Sequence, residues 1–274
     1  SLKISNNVAC GTRPSMMWET KMKVLSLVVD GLERANSDGL LEWALGQDAD
    51  IMCFQGTHCS EYSLPSNDYF PTDYHAYFAD NYDDHTLNGV AVYCKKMPKA
   101  IMFGLGFMDF DHLGIYIQAD YEHCSIGSIL VPSAFGEKGD KEAKMRFLSQ
   151  LGAHLQKVRN KKRDFILCGG WELAWQPRDA EESGNRLDIP GFSAEERDWL
   201  GSVYQAGYCD AFRELDSDID DFTWWPEGDE SPGLRTDTHI ISSSLAPCVT
   251  DACIDPEDAF SSHAPVIIEY DIEL

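Results

Sequence analysis

An Asp and a His near the C-terminal end of the sequence are residues that could act together in catalysis. Asp237 lies in a stretch, residues 233–241, that reads as a strand, and His263 lies in a later turn, residues 261–265. We expect the strand and the turn to bring both side chains to the same edge of a sheet. An Asp and a His so placed are half of a site that cleaves phosphodiesters. The other half comprises carboxylates that hold Mg²⁺ or Mn²⁺ and donors for the charge that develops on the phosphate.

Short apolar runs predict the strands that would position these side chains. The first two, 22–29 and 50–55, flank a helix predicted from a Ser37 cap to about Gly46, which indicates parallel strands joined by a crossover. Further strands are predicted at 89–95, 100–103, 114–121, 125–131, 164–172, 221–225, 234–241, 248–254 and 266–271, whereas 60–74 is predicted to be loop. The quick succession of strands between 89 and 131 favours antiparallel pairing.

Two further helices complete the predicted α/β architecture. One covers about Lys141 to Arg159, and the other begins with a capping box at Ser193 and ends near Gln205. Neither an internal repeat nor a linker divides residues 22–274, so we expect a single domain of two packed sheets with helices outside. Residues 1–21 show no clear period and are predicted to be an irregular N-terminal extension. Whether this extension belongs to the functional protein stays open.

The charge of the chain argues against strong binding to nucleic acid by this protein alone. Lys and Arg number 22 and Asp and Glu 46, for a net charge of −24, whereas affinity for nucleic acid comes mostly from basic side chains at phosphates. The dense basic run, which could contact RNA or an acidic partner, comprises Lys157, Arg159, Lys161, Lys162 and Arg163. The same run also fits a helix C-terminus that complements the helix dipole.

Cysteine usage and the N-terminal sequence bear on location. The nine cysteines are odd in number and lack paired metal-ligand spacing, which favours reduced thiols. Residues 1–21 have no signal-peptide core, and no apolar run approaches a membrane span. We therefore expect a cytoplasmic protein with no membrane partner.

Several motifs resemble the exonuclease III group of the endonuclease/exonuclease/phosphatase superfamily and follow that group's order. They are residues 22–32, Phe54-Gln55-Gly56-Thr57, residues 88–92, Cys168-Gly169-Gly170-Trp171-Glu172, residues 191–200, residues 222–225, Leu234-Arg235-Thr236-Asp237 and residues 261–265. The resemblance covers residue 22 to the end of the sequence. It implies a four-layer α/β/β/α sandwich of the DNase I-like, exonuclease III-like kind, with its site at the ends of two packed mixed sheets.

The resemblance also implies that most of the catalytic groups have been lost. Val28 stands where the group has a phosphate-site Asn, Gly56 where it has a metal-binding Glu, Leu130 where it has a Tyr, Gly170 where it has the Asp that activates water, Glu172 where it has an Asn, and Ser262 where it has an Asp. Asp30, Asp237 and His263 remain. Because the loss of one such contact typically reduces the rate by about 10²–10³-fold, we expect no intact catalytic site and no bound metal.

A closer resemblance is to the catabolite repression control (Crc) family of pseudomonads and their relatives, itself a degenerate branch of the same group. It rests on residues 88–92, 98–101, 104–107, 118–120, 130–133, 222–226 and 261–265. Val28 and Gly56 depart even from that family's pattern. The resemblance implies a non-catalytic post-transcriptional regulator that joins the RNA chaperone Hfq on A-rich mRNA leaders. Such a regulator represses translation of catabolic genes and binds RNA weakly, or not at all, without Hfq.

Two alternatives remain open. Asp30, Glu172 and Asp237, with His263, could form a rearranged site for Mg²⁺ or Mn²⁺. The chain would then be an abasic-site endonuclease or 3′–5′ exodeoxyribonuclease of DNA repair. The second alternative is structural: Asp237 anchors Arg235 or a nearby amide, and His263 fills a satisfied polar pocket, since ion-pair networks mimic active sites.

Overall fold

A computed structural model describes residues 21–181, 189–215, 221–228 and 231–274. Its first sheet contains β1 (Met22–Val28), β2 (Ile51–Gln55), β3 (His75–Ala79), β4 (Val90–Cys94), β11 (Val249–Ile254) and β12 (Val266–Tyr270). The strand order is β11-β12-β1-β2-β4-β3. β1 and β2 are parallel and every other pair is antiparallel, so the predicted parallel crossover is confirmed.

The second sheet is built in a related way from β5 (Ala100–Phe103), β6 (Tyr116–Asp120), β7 (Cys124–Leu130), β8 (Asp164–Gly170), β9 (Tyr208–Asp210) and β10 (His239–Ser242). Its order is β5-β6-β7-β8-β10-β9, with β7 and β8 parallel. The predicted antiparallel succession is confirmed for β5, β6 and β7. β4, which the same pattern placed among them, belongs to the first sheet.

Apolar side chains of both sheets meet in a shared core, since buried residues such as Val24, Cys53, Ile126 and Ile166 form one cluster. α1 (Leu32–Ser37) and α2 (Leu40–Gly46) cover the outer face of the first sheet. α3 (Lys141–Arg159) and α4 (Ala194–Gln205) cover the second, and α5 (Ala211–Glu214) is a single short turn. The four-layer α/β/β/α sandwich is therefore confirmed. Within the described residues, no helix is both long and apolar enough to span a membrane.

The helix predicted from a Ser37 cap is wrong in its start. Ser37 ends α1, where its hydroxyl donates to the Arg34 carbonyl, and α2 begins only after Gly39, whose φ is 93°. The Asn36 side chain accepts from the amide of Leu41, so Asn36 replaces Ser37 in satisfying the first turn of α2. The capping box at Ser193 is confirmed.

One strand was not predicted, and two strand predictions need correction. β3 was missed because it is a half-exposed edge strand without an apolar run. In the predicted strand 221–225 only Trp224 makes bridges, and the predicted strand 234–241 is a ladder only from His239 onward. The irregular backbone before His239 is what places Asp237 beside the ends of the sheets. The predicted extension, residues 1–21, lies outside the described residues except for Lys21.

Candidate functional site

A cleft of about 300 Å³ opens at the end of the two sheets where β1, β7 and β8 finish. Its wall contains the last residues of those strands, Val28, Leu130 and Gly170. Loops contribute Asp30 after β1, Glu172 after β8, and Ser262 and His263 before β12. The structure thus gathers nearly all of the residues singled out in the sequence into one site. Asp237 lies behind His263, and Gly56 lies beside Asp30.

The most ordered part of the site is a buried Asp–His pair. His263 Nδ1 lies 2.9 Å from Asp237 Oδ2 and 3.0 Å from Oδ1. Asp237 Oδ2 also accepts hydrogen bonds from the hydroxyls of Thr223 at 2.8 Å and Thr236 at 3.0 Å. Burial alone would lower the pKa of His263, but the Asp237 carboxylate outweighs it and raises that pKa above its ordinary value. The pair can therefore present a fixed and readily protonated imidazole to the cleft.

The imidazole of His263 is also held by an aromatic neighbour. Its ring stacks on that of Trp224 with centroids 5.4 Å apart and planes at 14°. Phe135 packs edge-on against the same indole at 5.2 Å. Trp224 is only 6% exposed, so this tryptophan packs in the interior beside His263.

The predicted contact between Asp237 and Arg235 is wrong. Arg235 Nε lies 2.8 Å from Asp179 Oδ1, and its NH2 group lies 2.6 Å from Asp210 Oδ2. These three side chains form a buried ionic network of their own. The other part of the structural alternative agrees with the structure, because His263 is hydrogen-bonded to Asp237 in a polar pocket.

Hydrocarbon fills the part of the cleft where the resemblance implies a water-activating carboxylate. A Cβ added to Gly170 would stand 2.6 Å from Val28 Cγ2 and 3.2 Å from Leu130 Cδ1. The first distance is below van der Waals contact, so the three residues form one packed apolar unit. This unit offers neither an acid nor a donor to a phosphate.

The carboxylate that remains at the end of β1 is poorly placed to hold a metal ion. The Asp30 Oδ2 atom accepts a hydrogen bond from Ser262 Oγ at 3.1 Å. At Gly56 the backbone has a φ of 67°, and an added Cβ would face the Asp30 amide at 3.6 Å and His58 Nε2 at 3.7 Å. Throughout the described residues no group of three or more His, Cys, Asp or Glu could hold a metal ion. The residues present therefore do not fit the divalent cation that the fold family implies.

Glu172 enters the cleft from a strained backbone that a second, buried ion pair supports. Its φ is 52°, a left-handed conformation that is uncommon outside glycine. Lys144 Nζ donates to the Glu172 carbonyl at 2.6 Å and lies 2.6 Å from Glu196 Oε1. Burial raises the pKa of the Glu172 carboxyl, whose Oε1 accepts from the Ala134 amide at 3.1 Å. This arrangement favours the neutral acid more than an ordinary surface Glu would.

Sequence reasoning missed the supporting residues Lys144 and Glu196. Both side chains are at most 1% exposed. A lysine on a helix such as α3 is normally expected at the surface, so its burial was not predicted. The capping box is the one available signal, because its acidic member is Glu196. Its second carboxylate oxygen accepts from the amides of Gly191 and Ser193, which leaves the first for Lys144.

The predicted basic run divides into two parts. Lys157, Arg159, Lys161 and Lys162 are exposed at the end of α3 and after it. Arg163 instead turns inward, where its Nε donates to Ser125 Oγ at 2.6 Å and its NH2 group donates to the Tyr121 carbonyl. Four of the five side chains are thus available to a partner.

Comparisons with known proteins agree with this architecture. Residues 7–262 match the Endonuclease/Exonuclease/phosphatase family. The chain is 30% identical over 254 residues to the DNA repair nuclease APEX1 of Danio rerio, covering 90% of this chain and 81% of the relative. It is 28% identical over 252 residues to an exodeoxyribonuclease of Bacillus subtilis, covering 89% and 98%. An AP endonuclease from Archaeoglobus fulgidus has a TM-score of 0.80 and 23% identity, covering 92% of this chain and 100% of that one, a likeness of fold.

Proposed function

The chain belongs to the endonuclease/exonuclease/phosphatase family, and we propose that it is a non-catalytic member that regulates translation. In this proposal it resembles the Crc family and acts with the RNA chaperone Hfq on A-rich mRNA leaders, so that translation of catabolic genes is repressed. The observation that carries the proposal is the packed apolar unit of Val28, Leu130 and Gly170 at the centre of the cleft.

The chemistry of the cleft supports binding without cleavage. Attack on a phosphodiester needs an activated water and stabilisation of the new negative charge, and each such contact contributes about 10²–10³ to the rate. The apolar unit leaves no acid there to activate water, and Gly56 supplies no side-chain ligand to a cation. Although effects of this kind do not simply add, several losses in one site leave little hydrolytic power.

The exposed basic residues support a contact with RNA that depends on a partner. Lys157, Arg159, Lys161 and Lys162 lie together at the end of α3. Four side chains in a chain of net charge −24 provide only a small electrostatic attraction to phosphates. Binding would thus require a composite surface in which Hfq supplies most of the affinity.

A gel-shift experiment tests this proposal with an A-rich RNA of eighteen nucleotides and purified Hfq. We expect the chain to convert the Hfq–RNA band to a slower one and to leave RNA without Hfq unshifted. The double variant Lys161→Glu/Lys162→Glu should weaken this supershift at least tenfold. Lys138→Glu, an exposed position before the other end of α3, should leave it unchanged. The proposal would be overturned if the Hfq–RNA band had the same mobility with and without the chain.

One observation favours a second candidate function. The buried Asp237–His263 pair is present, and the relatives described above include a DNA repair nuclease and an exodeoxyribonuclease. The chain would then be a Mg²⁺- or Mn²⁺-dependent abasic-site endonuclease or 3′–5′ exodeoxyribonuclease with rearranged ligands. Incubation with abasic duplex DNA and either ion distinguishes the two candidates. Cleavage that Asp237→Ala abolishes would establish the enzyme, and absence of cleavage would leave the regulator.

A further inference from the structure

Two stretches of the sequence, on either side of Lys95, Lys96 and Lys99, carry acidic side chains alone. Residues 35–94 contain ten Asp and Glu, and residues 100–137 contain five, without one Lys or Arg in either stretch. The two stretches include β3, β5, β6 and β7. The loops that follow β3 and β5 contain Asp80, Asp83, Asp109 and Asp111, so this end of the two strands favours cations over phosphates.

Two edge strands lie at this acidic end. β3 is the last strand of the first sheet and β5 the outermost strand of the second, and β3 packs over β6, the neighbour of β5. A groove of about 320 Å³ separates the two edges. Phe78, Phe103 and Tyr116 contribute apolar surface to it, whereas Asp80 and Asp111 contribute carboxylates.

Large apolar side chains are exposed around the groove. Tyr82 is 77% exposed and Phe103 58%, and both line it. Met102 is 40% exposed on β5, and Met108 is 94% exposed on the loop that leads to Asp111. Single exposed apolar residues are ordinary, but several around one concave site indicate a surface for interaction.

The backbone of β5 adds a second feature that points to a ligand. Over the described residues β5 pairs only with β6, so its outer edge has no strand beside it. Residues Ala100–Phe103 themselves contain neither a charge nor a proline, two of the means by which an edge strand is protected, and Pro98 and Lys99 lie just before the strand. An extended peptide can add to such an edge through main-chain hydrogen bonds.

We propose that the groove between β3 and β5 binds an extended segment of a partner protein that alternates basic and apolar residues. The apolar side chains would pack on Phe103 and Tyr82, and the basic ones would face Asp80 and the neighbouring carboxylates of Asp83 and Asp109. A second copy of this chain is the poorer occupant, because its net charge of −24 would bring like charges together. Nucleic acid is excluded from this face by the same repulsion.

Fluorescence anisotropy tests the proposal with a labelled ten-residue peptide that alternates Lys with Val and Phe. We expect saturable binding that weakens as salt is raised, and no binding of a peptide in which Glu replaces Lys. Phe103→Ser should weaken binding at least tenfold, and Asp83→Asn with Asp109→Asn should weaken it severalfold. Matched controls are Leu45→Ser, which removes an apolar side chain 38% exposed on α2, and Asp198→Asn on α4.

Three outcomes would overturn the proposal. The first is absence of binding by the basic peptide, and the second is an equal loss with Leu45→Ser or Asp198→Asn. The third is a dimer in sedimentation that Phe103→Ser dissociates, which would make a second copy the occupant. None of these outcomes bears on the gel shift with Hfq, so the two proposals fail independently.

Discussion

The side chain of Val28 occupies the space beside Gly170 into which an acidic side chain would have to extend. A Cβ on residue 170 would lie 2.6 Å from Val28 Cγ2. Gly170→Asp should therefore lower the free energy of unfolding by about 1–3 kcal/mol through overpacking. Val28→Asn in the same chain should recover part of this loss, because it removes the clashing methyl group and supplies a donor. Urea unfolding of the wild type, both single variants and the double variant measures the coupling.

Additive effects within about 0.5 kcal/mol would contradict this interpretation, since additivity is expected only of independent sites. The packing relationship implies that the two replacements depend on each other. A carboxylate could not return to residue 170 without a change at residue 28.

The sequence was sufficient to identify the residue types at the site but not this coupling. A glycine at 56 has no side chain to coordinate a cation in any fold, so this consequence needs no coordinates. Val28 and Gly170 are distant in sequence and meet only because β1 packs across β8 in the shared core. Lys144 escaped prediction for a similar reason, because its buried partner Glu196 lies on another helix. The cap of α4 was predictable, because Ser193 is its only candidate. The cap of α2 was not, because both Asn36 and Ser37 were candidates and Asn36 accepts the hydrogen bond.

The Asp237–His263 pair should make stability depend on pH. The pKa of His263 is raised in the folded protein, so the stabilising contribution is complete below the ordinary histidine value of about 6.5. It is lost as the pH rises through the folded pKa. Asp237→Asn removes the charge that offsets burial, and it should therefore destabilise the protein more at pH 5.5 than at pH 8.5.

Urea unfolding at both pH values measures this effect, and NMR titration of the His263 ring should show a lower pKa in Asp237→Asn. His75→Gln, at an exposed position on β3, controls for the loss of a histidine. Equal destabilisation of Asp237→Asn at the two pH values would show that the pair does not carry the predicted linkage.

The ionic network around Arg235 should contribute far more to stability than a surface ion pair. Arg235→Met leaves Asp179 and Asp210 buried without their main cation, and the unfolding free energy should fall by about 3–5 kcal/mol. Lys141→Met is the matched control, because Lys141 pairs with Glu195 at 3.2 Å where both side chains are more than half exposed. That change should cost about 0–1 kcal/mol.

The pH dependence of the Arg235 variant provides a further check on the network. Burial works against the charged form of Asp179, yet Arg235 and Arg213 hold its pKa below the ordinary value. Asp179 thus stabilises the wild type above the ordinary Asp pKa, and this contribution is lost as the pH falls through the lower folded pKa. Without Arg235 the Asp179 carboxyl can be protonated more readily. The difference in unfolding free energy between the variant and the wild type should therefore be smaller at pH 4 than at pH 7. An equal loss at both values would argue that the cost lies in lost packing and not in stranded charge.

Restoring a carboxylate at residue 56 should not restore a metal site. The added Cβ meets no atom within 3.6 Å, but the φ of 67° disfavours any side chain by about 1–2 kcal/mol. Gly56→Glu should lower the unfolding free energy by about that amount. Gly46→Glu, where the added Cβ has open space and φ is not positive, should lower it much less.

Calorimetric titration with Mn²⁺ should detect no binding to Gly56→Glu, because Val28, Gly170 and Glu172 still leave the ion without a complete set of ligands. Stoichiometric Mn²⁺ binding that Asp30→Asn abolishes would instead show that a single replacement had disabled the site, and the second candidate function would gain the support that the apolar unit now denies it.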